Sequence, residues 1–157
     1  LNLRRNLLGR NMSDETILKA FKILEESNLR VSANNIIGFP TETREQIFET
    51  IELNRQINVP GVMVSIYNPY KGTALREYCD EEGLTRKDTF AGDYRSETVL
   101  DMPQLSREEL LGLQRTFPLY VRFPKSEWPK IKKCEGKGQE AEKLFNELSA
   151  IYTRKFL

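Results

Sequence analysis

The chain has 157 residues, of which 39% are hydrophobic and 30% are charged, so it has the size and composition of an ordinary soluble domain with a core. Its 24 basic and 23 acidic residues leave a net charge of +1, which excludes a global positive field that would recruit nucleic acid. The absence of histidine excludes Ser-His-Asp and Cys-His catalysis and histidine-based metal sites, and two lone cysteines, Cys79 and Cys134, cannot supply the clustered ligands of a zinc or iron–sulfur site.

The N-terminal stretch LNLRRNLLGRN has neither an initiator methionine nor the apolar core of a signal peptide, so we expect the chain to begin inside a larger protein. No apolar run reaches the roughly 18 residues that a membrane span needs. We expect the two cysteines to stay reduced, as in the cytosol, with a disulfide between them as the alternative. Together these features predict a cytoplasmic protein that contacts neither membranes nor nucleic acid.

The first half of the chain predicts a strand–helix–strand unit. Ser13 is placed to cap a first helix, and residues 31–37, VSANNII, form a short apolar strand that ends at a glycine and a proline. Thr43 and Gln46 fit a capping box at the start of the next helix. Residues 62–67, VMVSIY, form a second strand with apolar residues on both faces, as expected for a strand that is covered on both sides. This order predicts an α/β fold with parallel strands.

The second half predicts mainly helices. A short helix follows the turn NPYKGT, and the polar residues 84–103 are either a lid over a site or, as we favour, a surface loop. Ser106 and Glu109 fit another capping box. Residues 117–134 contain three prolines among aromatic residues, which favours irregular packing over a long helix. The apolar spacing between Gln139 and Phe156 predicts a final amphipathic helix.

The two predicted strands are parallel, so their carboxyl ends lie on one rim of the sheet. Ligands of parallel α/β folds bind beyond these ends. The loop after the first strand contains Gly38, whose missing Cβ would let a ligand approach the backbone closely. The simpler alternative is that the glycine and the following proline only end the strand. Lys71 and Gly72 in the second loop indicate phosphate only weakly, because the chain has no GxxxxGK[ST] or GxGxxG motif.

Three polar side chains near this rim are candidates for ligand binding. Asn34 and Asn35 are adjacent in a strand and must point to opposite faces, so one of them faces the ligand side. The alternative is an asparagine that bonds only to a neighbouring loop. Arg10 precedes the first helix and could bind a carboxylate or phosphate with two hydrogen bonds, whereas a solvated surface arginine is the other interpretation.

Taken together, the segments LLGRNMSDETILKAFKIL, VSANNIIGFPTET, VSIYNPYKGTALREYC and RTFPLYVRFPK resemble the C-terminal half of a radical S-adenosylmethionine (SAM) enzyme. The resemblance is strongest to the iron–sulfur oxidoreductases that often carry a cobalamin-binding domain upstream. It implies a partial (β/α) barrel, of the TIM-barrel type, over residues 1–83, with strands near 31–37 and 62–67, and a mainly helical extension over residues 84–157. The implied cofactors are SAM and a [4Fe–4S] cluster, which cleaves SAM reductively to generate a radical that abstracts a substrate hydrogen.

The same resemblance assigns binding roles to residues of this chain. Arg10 matches an arginine that contacts the SAM carboxylate, and Asn34 matches a polar residue that reaches the ribose. Ile36 matches an apolar residue that packs on the adenine. The main chain of Tyr67, Asn68 and Pro69 matches the segment that reads the adenine edge. Gly38 lies in the loop that follows the first strand, between Ile36 and this segment in the chain. The chain departs from the family at Thr41, where GFPGET is usual.

The CxxxCxxC cluster loop and the first four strands of the family are absent, so the resemblance implies no catalytic residue and no metal ligand in this chain. The first hypothesis is therefore a fragment of a radical SAM oxidoreductase or methyltransferase-like enzyme that is inactive alone and meets its small-molecule substrate only in the full-length protein. The second is a stand-alone, non-catalytic interaction module that uses the aromatic residues 117–128 and the C-terminal helix as its contact surface. The third is an unrelated phosphate- or nucleotide-binding α/β domain. Open strand edges would favour self-association in the first case.

Overall fold

The computed structural model describes residues 3–27, 29, 31–85 and 98–156. These residues form two strands, six α-helices and two short helical turns. In chain order the elements are a π-helical turn at Leu3–Leu7, α1 at Asp14–Glu26, β1 at Ser32–Ile37, α2 at Arg44–Arg55, β2 at Gly61–Ile66, α3 at Ala74–Glu81, α4 at Arg107–Arg122, a 3-10 turn at Lys125–Glu127, α5 at Trp128–Lys133 and α6 at Gln139–Phe156.

The two strands pair in parallel and are connected through α2, which confirms the predicted α/β class. Ser32 pairs with Gly61, and the register continues to Ile37 and Ile66. One further main-chain hydrogen bond, from the Tyr67 amide to the Ile37 carbonyl at 2.8 Å, extends the ladder beyond the last pair. The carboxyl ends of both strands therefore lie side by side, as the sequence predicts.

Local capping residues start the helices where the sequence predicts them. The Thr43 hydroxyl accepts from the Gln46 amide, and the Gln46 side chain accepts from the Thr43 amide at 3.0 Å, so both halves of this capping box form. Ser106 accepts from the Glu109 amide at 3.2 Å. The Glu109 carboxylate instead accepts a hydrogen bond from Arg44 on α2.

Among the described residues, helices cover one face of the sheet. Ala33 and Ile37 of β1 and Val62 and Ile66 of β2 are buried in the core with α2 and α4. On the other face Met63 is 56% exposed. The expectation that the second strand is covered on both sides is therefore wrong for the described part of this structure, which leaves the face that carries Met63 open.

The aromatic segment 117–134 is more regularly helical than its three prolines predict. Helix α4 continues through Pro118 to Arg122. A proline inside a helix removes one backbone hydrogen bond and costs about 3 kcal/mol. Two features offset this cost: Phe117 and Tyr120 are buried on either side of the proline, and Arg55 donates to three carbonyl oxygens at the end of the helix, at 2.7 to 3.0 Å.

Burial removes the aromatic part of the contact surface that the second hypothesis needs. Phe117, Tyr120 and Phe123 are buried in the core, and the partly buried Trp128 packs against Phe48 and Tyr120 at ring-centroid distances of 5.3 and 5.4 Å. These aromatic side chains stabilise the fold and do not form an exposed patch.

The connection before α4 is partly described. Its residues 86–97 lie outside the described residues. From residue 98 to residue 105 buried and exposed side chains alternate: Leu100 and Leu105 are at most 2% exposed, residues 101, 103 and 104 are exposed, and Leu100 forms an antiparallel bridge with Thr85. This described part therefore anchors the connection to the core through its buried residues, and the choice between a lid and a surface loop for residues 84–103 stays a prediction.

Within the ranges described above, no helix is both long enough and apolar enough to cross a lipid bilayer.

Candidate functional site

The uncovered face of the sheet carries no charged side chain. Asn34 and Ile36 of β1 point to this face, and the register places Met63 opposite Asn34 and Ser65 opposite Ile36. Ile36 is 51% exposed. In a chain in which 30% of residues are charged, an exposed uncharged face with large apolar residues indicates a surface that meets a ligand or another segment.

A cavity of about 510 Å³ lies between this part of the sheet, the N-terminal segment, α1 and α2. Its volume falls within the range of about 300–1,000 Å³ that is usual for small-molecule sites. Four of the seven residues that the sequence predicts for cofactor binding line this one cavity: Arg10, Asn34, Ile36 and Tyr67. The other three, Gly38, Asn68 and Pro69, are not among its lining residues.

The N-terminal segment forms one wall of the cavity because it is anchored to the start of α1. The Arg4 guanidinium donates to the Asp14 carboxylate at 2.7 Å and to the Met12 carbonyl at 3.0 Å. The Arg10 amide in turn donates to the Arg4 carbonyl at 2.9 Å. The Arg10 side chain remains exposed at the cavity, in a position to bind an anionic group of a ligand.

The two asparagines point to opposite faces, as alternation along a strand requires. Asn35 faces α2, where its side chain and that of Asn54 donate to each other at 3.1 and 2.8 Å, and it also donates to the Met63 carbonyl. Its amide is therefore occupied by the fold. Asn34 is exposed on the open face and is the one left for a ligand.

Gly38 is required by packing in this structure. Its φ is +82°, a backbone conformation that side chains disfavour, and a Cβ at this position would lie 2.7 Å from a methyl carbon of the buried Leu110. Helix α4 occupies the space that the sequence analysis left for a ligand. The role of Gly38 in cofactor binding stays a prediction.

We expect Gly38→Ala to lower the free energy of unfolding by about 3 kcal/mol, because backbone strain adds to the contact with Leu110. Gly72 is the matched control: its φ is +83° and no heavy atom lies within 4 Å of a Cβ placed there. Gly72→Ala should cost only about 1 kcal/mol of strain. Chemical denaturation of the two variants tests this, and equal losses would contradict the packing role of Gly38.

Residues 67–69, which follow β2, are held in place by a stacking contact between two aromatic rings and by a hydrogen bond from α3. The Tyr67 ring stacks on Phe39 with centroids 4.9 Å apart, and burial together with the nearby Cys79 raises the pKa of Tyr67 to about 12. The buried Arg76 donates to the Pro69 carbonyl at 3.2 Å and pairs with Asp80 at 2.9 Å. The main chain at 67–69 is thus fixed at the end of the strand, as a segment that reads a ligand edge would need to be.

Glu42 also lines the cavity, although it is not among the site residues predicted from the sequence. Glu42 is 4% exposed, and its Oε2 accepts from the amides of Gly38 at 2.5 Å and Phe39 at 3.2 Å. Burial raises the pKa of Glu42 to about 7, although both hydrogen bonds act in the opposite direction. The available signal was its position, because the amides of a turn that directly follows a buried strand need an acceptor.

The described residues contain no group of three histidine, cysteine, aspartate or glutamate side chains that could hold a metal ion. Both cysteines are buried and free. Burial raises the pKa of Cys79 to about 11 and also raises the pKa of Cys134, so neither thiol is activated.

Comparison with known proteins gives partial similarities. No family model matches the chain. It is 26% identical over 116 residues, 74% of its length, to an uncharacterized methyltransferase of Pyrococcus horikoshii, of which it covers 25%. It is 35% identical over 78 residues, 48% of its length, to the tRNA-2-methylthio-N(6)-dimethylallyladenosine synthase of Thermotoga petrophila, and 30% identical over 97 residues, 56% of its length, to the same enzyme of Bacillus mycoides.

The chain spans a quarter or less of the length of these relatives, with coverage of 25%, 18% and 19%. The similarities support a relationship to the radical SAM family, in agreement with the motif resemblance.

Proposed function

We propose that this chain supplies part of the SAM-binding wall of a radical SAM enzyme, an iron–sulfur oxidoreductase or a methyltransferase-like enzyme, and is inactive alone. The observation that carries this proposal is the cavity itself. Arg10, Asn34, Ile36 and Tyr67 come from three separate segments, namely the stretch before α1, strand β1 and the end of β2, and the fold brings them to one space of about 510 Å³. Each was assigned to SAM separately, by resemblance.

The chemistry of these side chains fits the parts of SAM that each would bind. Arg10 is exposed and cationic and would bind the carboxylate. Asn34 would donate to and accept from the ribose hydroxyls, and Ile36 would pack on the adenine. The main chain around Tyr67, Asn68 and Pro69, apart from the Tyr67 amide that bonds to Ile37, would pair with the adenine edge, with Gly38 in the loop beside them.

The chain does not fit the [4Fe–4S] cluster that the family uses, because its two cysteines are buried and no ligand group occurs among the described residues. When bound elsewhere in the enzyme, the cluster would supply the electron that cleaves SAM. The residues of this chain would orient SAM and exclude water from one side of it. A cobalamin domain upstream, the division at residue 83 between a partial barrel and its extension, and self-association through open strand edges belong to the same proposal.

The substrate is not carried over from the relatives, because their names differ. Two of them are named for a modified tRNA adenosine, and one only as a methyltransferase. The near-neutral charge of this chain gives no reason of its own to expect binding to tRNA. The absence of contact with nucleic acid and a cytoplasmic location therefore stay predictions.

The genomic sequence upstream of Leu1 tests the proposal. We expect the reading frame to continue upstream and to encode a CxxxCxxC motif within the length of the preceding barrel strands. A stop codon in frame just upstream, followed by a start codon at Leu1, would contradict the proposal.

A further inference from the structure

A single buried carboxylate holds the turn after β1. The Oε2 of Glu42 accepts from the amides of Gly38 and Phe39, and the Glu42 amide donates back to the Phe39 carbonyl at 2.9 Å. These amides follow the last paired residue of the strand, so without Glu42 they would have no acceptor among the contacts of this turn. A buried amide without a partner costs about 1–3 kcal/mol, so Glu42 determines the conformation of the turn.

The conformation of this turn determines the position of the aromatic wall of the cavity, which consists of Phe39 and Tyr67. Phe39, Glu42 and Tyr67 all line the cavity. The Phe39 ring stacks on Tyr67 with an interplanar angle of 30° and a centroid distance of 4.9 Å. Since the Phe39 amide is bonded to Glu42, a change in the carboxylate moves the residue that carries this ring.

A second residue braces the same turn from the C-terminal part of the chain. The Gln104 side-chain amide donates to the carbonyls of Pro40 and Glu42, both at 3.2 Å. The buried Met102 and Leu105 on either side of Gln104 fix this segment in the core. The turn is therefore held by a carboxylate on the cavity side and by an amide from the segment before α4.

We propose that Glu42 is a positioning residue for the aromatic wall of the site. Glu42 fixes the amides of Gly38 and Phe39, so that the Phe39 ring stays stacked on Tyr67. Gln104 is the brace that links this wall to the helical part of the chain. What the wall binds rests on the proposed function. The positioning itself rests only on the contacts within the turn.

The proton affinity of Glu42 gives this arrangement a measurable signature. Burial raises the pKa of Glu42 to about 7, so the closed turn binds a proton more tightly than an open, hydrated turn does. By linkage, a rise in pH through 7 favours opening of the turn. The charged or titratable side chains that line the same cavity are Arg4, Arg10, Asp14, Glu49 and Tyr67.

The experiment uses the isotope-labelled full chain at about pH 6, where Glu42 is mostly protonated. Hydrogen exchange of the Gly38 and Phe39 amides reports the turn, and the nuclear Overhauser effect between the Phe39 and Tyr67 rings reports the wall. The variants are Glu42→Ala, Glu42→Gln, which keeps a neutral acceptor of the same shape, and Gln104→Ala. Gln139→Ala, at an exposed residue where α6 begins, is the control.

We expect Glu42→Ala to raise exchange of both amides at least about tenfold and to abolish the ring contact, since about 1.4 kcal/mol corresponds to a factor of ten. Glu42→Gln should retain both, Gln104→Ala should raise exchange several-fold, and Gln139→Ala should change neither. Retention of the ring contact and of slow exchange in Glu42→Ala would overturn the proposal.

Two further readouts keep the proposal testable if Glu42→Ala does not fold. In the wild type, protection of the Gly38 and Phe39 amides should fall between pH 6 and 8, whereas in Glu42→Gln it should not; equal pH profiles would overturn the proposal. Added SAM separates this inference from the proposed function. If SAM shifts no amide of the wild type, the proposed function fails, while the exchange and ring data still decide the role of Glu42.

Discussion

Between about pH 5 and pH 8, the free energy of unfolding should fall by about 3 kcal/mol, because the fold buries the Glu42 carboxyl. The pKa of Glu42 is about 7 in the folded chain, against an ordinary value of 4.5. The folded state therefore holds a proton that the unfolded chain releases. The stabilisation is complete below about pH 4.5, decreases as the pH rises, and is lost above about pH 7.

Few other groups obscure this range. The chain has no histidine, the side chain that ordinarily titrates there. A hydrogen bond with its own backbone amide lowers the pKa of Glu45, and hydrogen bonds from Thr85 and Arg76 lower the pKa of Asp80. The stability that these two carboxylates contribute is lost only as the pH falls through the acid range, which is the opposite direction.

Urea denaturation at a series of pH values measures the effect, and Glu42→Gln is the matched variant. The glutamine keeps an oxygen that can accept from both amides and carries no charge, so its stability should vary little over this range. At pH 8 the variant should be more stable than the wild type. A wild type whose stability is constant from pH 5 to 8, or a Glu42→Gln variant with the same slope, would contradict the burial of this carboxyl.

The second large effect is expected from Arg44→Met, which should lower the free energy of unfolding by about 3 kcal/mol. The guanidinium joins α2 to the helical part of the chain: it contacts Glu135 at 2.7 Å and Glu109 at 2.9 Å. Tyr120 donates to the same Glu135 carboxylate at 2.5 Å. The side chains of Arg44 and Glu135 are only 20% and 11% exposed, so removal of the arginine leaves a largely buried carboxylate without its cation.

Lys130→Met is the control for this change, because Lys130 also forms an ion pair, with Glu127 at 3.0 Å, but is 60% exposed. We expect it to change stability by less than about 0.5 kcal/mol. In the double variant Arg44→Met with Glu135→Gln, part of the lost stability should return, since the buried charge is then removed. Equal effects of Arg44→Met and Lys130→Met would contradict a structural role for the Arg44 pair.

The features that the sequence predicts well are those determined by near neighbours in the chain. The capping residues Ser13, Thr43 and Ser106 each accept from the amide three residues later, so their own side chains decide where the helices begin. The parallel βαβ unit follows from the spacing of its strands. The opposite directions of Asn34 and Asn35 follow from the alternation of a strand.

The features that the sequence does not predict depend on distant contacts. Helix α4 continues through Pro118 because buried aromatic residues and Arg55 stabilise its last turn, and Arg55 is far away in the chain. Gly38 is required because Leu110 fills the space beside it. Nothing in the sequence distinguishes Glu42 from the exposed glutamates of the chain. Only the fold shows that its carboxylate is buried and accepts from two amides.

The open face of the sheet is the most informative difference between expectation and structure. The sequence of β2 predicts cover on both sides, and Met63 is exposed on one of them. Met63 is therefore a large apolar side chain on a side of the strand that the described chain does not cover. An exposed apolar side chain of this size is a place at which a ligand or another protein segment can pack.

A titration of the labelled chain with SAM, followed by amide chemical shifts, shows whether the cavity is part of a SAM site. We expect weak, saturable binding with a Kd of about 1 mM, since this wall lacks the cluster and the other strands. The shifts should concentrate at Asn34, Ile36 and Tyr67, and Arg10→Ala or Asn34→Ala should weaken binding about fivefold. Shifts that lie away from the cavity, that are unaffected by both substitutions, or that are absent at about 10 mM SAM would contradict the claim that this chain forms part of a SAM site.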